Sequence, residues 1–375
     1  MDKMNRIVIN ATFSLEKPTG LGVYTYELVR ELLKLESRFD FTVYTSSRNL
    51  KNLYPERVTL APSFTSPGMG FWGHLLRLVW QQSVLPFKVR KERPSLFYST
   101  VPEGLLGLRQ KQIITVHDLL PVKYPASCPK MSYYFHYSLP TLLNNSKAII
   151  CVSENTKKDL MARHPVEGKP VYVIYEGFDR TRFYPREKGG VRKWFGFTDY
   201  LLYVGDMRPY KNLENNLAAF ARLNLRGYKF VIGGKKDPRF YPKVEKKARD
   251  LGIRDRVIFL DYVSQEHLPH LYSEAAAFVF PSLYEGFGLP PLEAMACGCP
   301  VVVSHAASLP EVCGDGAYYV DPYDVESIAE GVHRVLKDEL LRSTLIGKGF
   351  ERTKLFSWEK AAKEHLKVFE EILSL

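Results

Sequence analysis

Glu285-Gly-Phe-Gly-Leu-Pro-Pro-Leu-Glu293 sets two carboxylates with seven residues between them, among these two glycines and then two prolines. The run before it, 275–281 (AAAFVFP), reads as a short buried strand. Pro290 and Pro291 suit the opening of a helix, because a first turn has no use for the missing N–H. The helix then continues through Leu292, Ala294, Met295 and Ala296 to Gly298. The order is strand, glycine loop, helix N-terminus. Glu285 falls on the loop and Glu293 in the first helical turn. Free N–H groups of Phe287, Gly288 and Leu289 would face the same pocket. Carboxylates accept hydrogen bonds from hydroxyls, and a helix N-terminus favours anions. The pattern therefore suits an anionic polyol such as a nucleotide sugar. A plainer reading stands beside it: the glutamate complements the helix dipole, and Gly-Phe-Gly is a tight turn.

The same order recurs elsewhere in the chain. Residues 6–11 (RIVINA) read as a strand, 13–22 as a polar loop ending in Gly20 and Gly22, and 23–35 as a helix with apolar residues at helical spacing. Strand, glycine loop, helix opens a doubly wound α/β domain, although an ordinary strand–helix turn has the same spelling. Residues 112–116 (QIITV) form a strand that delivers His117 at its C-terminal end, where open α/β sheets place ligand-binding groups. A lone histidine is more often structural. The pattern restarts at the strand 200–204, followed by Gly205-Asp-Met-Arg-Pro-Tyr-Lys-Asn212 and a helix over 213–224. Arg208 and Lys211 add cations near a helix N-terminus, which suits a diphosphate; the alternative is two solvated surface charges. Between the two patterns, residues 179–198 are polar and aperiodic and read as the domain boundary.

Further elements are expected as strands at 41–46, 96–99, 148–152, 171–175, 230–232, 257–260 and 301–304. Helices are expected at 131–145, 154–163 with Ser153 as N-cap, 241–251, 265–275, 324–337, 338–353 and 358–373. Residues 50–68 read as strand and loop. The segment 71–89 carries Phe71, Trp72, Leu75, Leu76, Leu78, Val79, Trp80, Val84, Leu85 and Phe87, and Lys88, Arg90, Lys91 and Arg93 lie at its end. Such a helix packs in a core or lies in a membrane interface.

At 375 residues the chain suits about two domains, and 45% hydrophobic with 25% charged residues is ordinary for a globular protein. No apolar run is long enough for a spanning helix, and the N-terminus lacks a signal-peptide pattern. The five cysteines show no Cys-x-x-Cys spacing, which fits a reducing, cytoplasmic setting without structural zinc. His267 and His270 lie three apart without a third ligand in view. The net charge of +11 comes with no nucleic-acid motif. An anionic membrane surface and an anionic substrate account for it better.

Taken together, Thr19-Gly-Leu-Gly22, Val116-His-Asp-Leu119, Gly205–Asn212 and the Glu285–Glu293 stretch resemble the retaining glycosyltransferases of family 4. The resemblance spans essentially the whole chain. It implies the GT-B fold: two Rossmann-like doubly wound α/β domains facing a central cleft. Residues 1–178 would bind acceptor and 179–355 nucleotide sugar, while 356–375, with Phe356-Ser-Trp358, would cross back to the N-terminal domain. The resemblance also implies the roles. Arg208 and Lys211 would grip the diphosphate beside Gly205. Glu285 and the backbone of Phe287, Gly288 and Leu289 would hold the transferred sugar, and Glu293 the ribose. His117 would lie by the sugar on the opposite wall, and Gly20 and Gly22 would approach the phosphate and acceptor. His117, Glu285, Arg208 and Lys211 form the expected catalytic set.

No Asp-x-Asp occurs, so no metal or other cofactor is expected. No residue stands out as a covalent nucleophile, which favours front-face attack within an ion-pair-like transition state. The 20–28 and 117–125 stretches look most like bacterial mannosyltransferases. That suggests GDP-mannose as donor and a glycan or lipid-linked acceptor for surface polysaccharide, made at the inner face of the cell membrane. A UDP-sugar donor, a sugar-nucleotide 2-epimerase and a non-catalytic nucleotide-sugar sensor are the alternatives.

Overall fold

The computed structural model describes residues 5–14, 20–65, 70–108, 110–166 and 168–375. Its contacts divide it into two compact units, Met1–Gly177 with Trp358–Leu375, and Phe178–Ser357. Each is a parallel sheet with helical crossovers.

In the first unit the strands are β1 (Asn5–Ala11), β2 (Phe39–Thr45), β3 (Val58–Leu60), β4 (Leu96–Ser99), β5 (Lys111–Val116), β6 (Ala148–Cys151) and β7 (Val171–Val173), in the order β3-β2-β1-β4-β5-β6-β7. Ile7, Val8 and Ile9 of β1, Phe97 of β4 and Ile113 and Ile114 of β5 are wholly buried. Consecutive apolar residues without alternation are what a sheet covered on both faces requires. The chain winds from β1 out to β3, then returns to β4 on the other side of β1. That reversal, between β1 and β4, is where open α/β sheets leave a crevice for ligands.

The second unit holds β8 (Tyr200–Val204), β9 (Lys229–Gly233), β10 (Val257–Asp261), β11 (Ala277–Phe280), β12 (Val301–Ser304) and β13 (Ala317–Val320), in the order β10-β9-β8-β11-β12-β13. Its reversal lies between β8 and β11. The two halves thus repeat one winding rule.

Several expected elements need correction. The helix expected over 71–89 is two, Gly70–Ser83 and Leu85–Glu92, and that over 131–145 is also two, Pro129–Tyr137 and Leu139–Asn145. Pro86 and Pro140 each sit in the first turn of the second member, because a proline ring cannot continue a preceding helix without a clash. The helix after β1 starts at Leu21, so Gly22 lies inside it and only Gly20, at φ 49°, caps it. Thr19 and residues 15–18 and 66–68 of the expected loops lie outside the described residues, as does the side chain of Phe71. The segment 179–198 contains the short helix Gly190–Phe195, and 48–53 is helical rather than strand or loop. The helix Leu309–Cys313 and strand β13 were not expected.

The helix Trp358–Ser374 belongs to the first unit. Its His365 is wholly buried. The Nδ1–H of His365 donates to Ala361 O at 2.7 Å, which leaves Nε2 to accept from the hydroxyls of Tyr98 (3.0 Å) and Tyr24 (3.2 Å). Burial lowers the His365 pKa to about 4, so the ring is neutral near pH 7.

Candidate functional site

The reversal between β8 and β11 brings the two principal motifs of the second unit together. After β8 the chain makes a 3₁₀ turn, Pro209–Lys211, and Asn212 then adopts φ 61° at the start of the helix Leu213–Arg222. Asparagine tolerates this left-handed conformation better than most residues. Its side-chain amide donates to Pro281 O (3.0 Å) and Pro322 O (2.6 Å), and Leu283 N donates to Tyr210 O at 2.8 Å. The two loops are therefore laced along their backbones. One result is an ion pair: Lys211 Nζ donates to both carboxylate oxygens of Glu285, at 2.8 and 2.9 Å. The ammonium also lies 5.1 Å from the Phe280 ring centroid and 5.3 Å from that of Tyr210. Burial pushes the Glu285 pKa above the usual carboxylate range, and Lys211 only partly offsets this.

Arg208 lies on the same turn, with Nη1 3.6 Å from Asp206 Oδ2. Both cations thus have carboxylates beside them. The turn sets two positive groups against two negative ones.

Gly205 is held by close approach. A Cβ on Gly234, after β9, would stand 1.9 Å from Gly205 O. Only glycine fits there.

On the other motif, Gly288 caps the helix Leu289–Ala296 at φ 122°. Glu293 is the fifth helical residue, just past the first turn where it was expected, because the helix opens at Leu289. It accepts from the Tyr272 hydroxyl at 3.1 Å. Burial raises its pKa to about 8, so near pH 7 the carboxyl is largely protonated. The Ser308 hydroxyl reaches Glu285 O (3.0 Å) and Phe287 O (2.6 Å), which fixes the loop from below. The Phe287 ring is buried and meets Phe356 edge-on at 5.7 Å.

In the first unit, His117 follows β5, as expected, but neither nitrogen is unoccupied. Nε2 lies 2.8 Å from Thr100 O, and Nδ1 lies 3.4 Å from Glu176 Oε1. Its ring is 6% exposed and stands edge-on to Tyr24, 4.4 Å between centroids. A substrate hydroxyl would have to exchange with one of these partners. Gly20 and Gly22 bracket the start of the helix that carries Tyr24. His267 and His270 pack on Trp194, 4.6 and 4.7 Å between centroids.

Sequence reading missed Asn212, Ser308, Tyr272 and Glu176 as supporting groups. Asn212 alone had a local signal, its place directly after Lys211 at a helix start.

Two parallel-sheet units of this kind, with a lysine–glutamate pair at one reversal point, define a glycosyltransferase of the GT-B class. The chain belongs to the family 4 glycosyltransferases. The family model "Glycosyltransferase Family 4" matches residues 18–182, and "Glycosyl transferases group 1" matches residues 193–352. The chain is 29% identical to O-antigen chain mannosyltransferase B of Escherichia coli, over 96% of this chain and 99% of that one. It is 32% identical to O-antigen chain mannosyltransferase RfbU of Salmonella typhimurium, over 61% of this chain and 62% of that one. Among solved structures it is similar in fold to sucrose-phosphate synthase from Thermosynechococcus elongatus, with TM-score 0.80 and 22% identity, covering 99% of each chain. It is also similar to Anabaena HepE in complex with UDP-glucose, with TM-score 0.76 and 17% identity, covering 98% of this chain and 100% of that one.

Proposed function

We propose that this glycosyltransferase moves mannose from GDP-mannose to a glycan or lipid-linked acceptor in surface polysaccharide synthesis, with retention and without a metal. The observation that carries the reading is the Lys211–Glu285 pair at the β8/β11 reversal, in a chain that aligns along nearly its full length with an O-antigen mannosyltransferase. Breaking a glycosyl–phosphate bond develops negative charge on the leaving diphosphate. Arg208 and Lys211 stabilise that charge, as preorganised cations do without the cost of reorganising solvent. Drawing Lys211 toward phosphate releases the Glu285 carboxylate to accept hydroxyls of the transferred sugar. Glu293, sharing a proton with its surroundings near neutrality, takes the ribose hydroxyls. Gly288 and the helix start at Leu289 turn backbone N–H groups toward the donor. On this reading the acceptor attacks from the face the diphosphate leaves.

A thermal-shift panel tests the donor. GDP and GDP-mannose should raise Tm well above the effect of UDP and UDP-glucose at equal concentration. The reverse order would favour a UDP-sugar donor, a reading that gains support from the fold's likeness to the UDP-glucose complex of HepE. Transfer that persists undiminished in excess EDTA is expected, and restoration of lost activity by Mg²⁺ or Mn²⁺ would refute metal independence.

Transfer on this reading takes place at an anionic membrane surface. The helix Gly70–Ser83 is inverted: Trp72, Leu75, Leu76 and Val79 are exposed, while Arg77 and Gln81 are wholly buried beside Trp80. Trp72 is 65% exposed and Phe87, on the next helix, 69%. Lys88, Arg90, Lys91 and Arg93 are exposed just beyond. An outward apolar face ending in cations fits lipid tails and anionic headgroups. Co-sedimentation with vesicles rich in phosphatidylglycerol should fail for a Trp72→Glu/Phe87→Glu protein. Binding that ignores salt and charge reversal at Arg90 and Lys91 would remove the electrostatic part.

A further inference from the structure

The ring of His117 is held between two oxygens. Nε2 meets Thr100 O, just past β4, at 2.8 Å, and Nδ1 meets Glu176 Oε1, past β7, at 3.4 Å. A backbone carbonyl only accepts, so Nε2 must carry a proton and donate. An ionised carboxylate also only accepts, so a proton must lie at Nδ1 as well. A bare Nδ1 would turn its lone pair on those of Oε1. The two contacts therefore hold one proton more than a neutral imidazole beside a carboxylate supplies. That proton makes His117 an imidazolium, or else it sits on Glu176 beside a neutral ring. As free side chains, imidazole holds a proton about two pH units more tightly than a glutamate carboxyl does. The opposite charge so close by favours the imidazolium further.

The surroundings fix the ring without competing for that proton. Thr156, on the helix Glu154–Arg163, donates from Oγ1 to His117 O at 3.0 Å and so anchors the backbone. Tyr24, on the helix Leu21–Lys34, stands perpendicular to the imidazole, and its hydroxyl bonds Tyr98, Thr115 and His365 instead. His365, beyond Tyr24 on the last helix, is neutral near pH 7. Asp118, next in the chain, accepts from Leu120 N at 2.9 Å. Glu176 is thus the carboxylate that meets a ring nitrogen of His117. Both members of the pair are buried. Either charge alone would be costly there, and each compensates the other.

We propose that Glu176 is a positioning residue that keeps His117 doubly protonated, so that the ring serves transfer as a hydrogen-bond donor and not as a base. The proposal rests on the place given to His117 in the transfer reading above. With a proton on each nitrogen the ring has no lone pair, so it cannot take the acceptor's proton. Nε2–H is committed to Thr100 O. Nδ1–H lies farther from its partner and makes the weaker bond, so it is the one a substrate oxygen can share. The substrate atom that fits is an oxygen acting as acceptor. A hydrogen bond from a charged donor is roughly twice as strong as a neutral one.

Nitrogen NMR of the full chain with isotope-labelled histidine rings reads the charge state without any substrate, and His117→Gln identifies the signals. Near pH 7 both His117 nitrogens should resonate as protonated, at closely matched shifts. A neutral ring would split them widely. Glu176→Gln keeps the shape, and its amide can donate to Nδ1, so the fold should persist while the ring becomes neutral with one bare nitrogen. In that variant kcat/KM for the donor should fall about tenfold, the difference between a charged and a neutral hydrogen bond. Glu176→Asp retains a carboxylate, and it should restore the matched shifts and part of the lost rate. A merely structural glutamate would leave the ring signals unmoved by either change. A bare nitrogen in the wild type, a doubly protonated ring in Glu176→Gln, or undiminished kcat/KM in that variant overturns the proposal. If Glu176→Gln fails to fold, the wild-type signals and Glu176→Asp decide. Matched shifts in a protein that transfers from no nucleotide sugar would instead sink the transfer reading and leave the ion pair standing.

Discussion

Glu285 and Glu293 carry similar carboxyls into opposite settings. Glu285 is pinned by Lys211, and Glu293 by a neutral tyrosine. Removing the lysine therefore does two things. On the proposed reading, Lys211→Ala withdraws a cation from the leaving group; it also strands a buried carboxyl. Transfer should drop by about 10²–10³-fold in kcat, while folding persists because Glu285 can protonate; full activity in this variant would refute the diphosphate role. For Glu293 the effect is on stability. Its pKa rises on folding from 4.5 to about 8. The associated stability is fully present below pH 4.5 and is lost as pH rises through about 8, on the order of 3 kcal/mol after discounting for partial solvent access. Glu293→Gln should thus gain on the wild type between pH 5 and pH 9 in thermal melts. A pH-independent difference would contradict the buried acid.

At the scale of elements, the loops after β8 and β9 depend on backbone contact. Gly234→Ala drives a methyl into Gly205 O. It should cost about 3 kcal/mol and weaken nucleotide binding together with stability; a fully stable variant would mean that the two loops part freely. Such contacts explain what could be read in the chain and what could not. Ser153 was legible because its hydroxyl caps its own helix, accepting from Thr156 N at 3.1 Å. The loop bearing Arg208 and Lys211 was legible because cations, glycine and helix start lie within eight residues. The Glu176 partner of His117 was not, since it comes from 59 residues away. Nor was the inverted helix at 70–83. Its apolar periodicity is real, but periodicity does not say which face turns inward, and only the buried ion pair of Arg77 with Glu103 does. Pro86 and Pro140 did mark the helix breaks, and a reading weighted toward hydrophobic spacing passed over them. Strand β13 has four residues, two of them only partly buried at the sheet's edge, too few for a clear alternation.

Across the whole molecule, the two units respond to pH in opposite senses. In the first unit His365 is held neutral, its pKa lowered from 6.5 to about 4. That contribution is present above pH 6.5 and is lost as pH falls through about 4, again on the order of 3 kcal/mol. In the second unit Glu293 loses its contribution as pH rises. Calorimetry should resolve two transitions, one losing stability as pH falls from 6.5 to about 4 and the other as pH rises from 4.5 to about 8. A His365→Asn protein should flatten the acid limb of the first alone. Two transitions that move together at every pH would count against separate titrating cores.

The helix Trp358–Ser374 completes the first unit, yet the ribosome makes it only after the entire second unit. Tyr24 and Tyr98 emerge early and must wait for His365. Of the two units, the one translated earlier is then the later to close. During elongation the face of helix Leu21–Lys34 that the last helix covers stays open, a ready target for a chaperone. Nascent chains stalled before Trp358 should be cut by protease in the first unit while Phe178–Ser357 resists. The second unit, whose sequence is unbroken, thus acts as the folded spacer across which the first unit is finished.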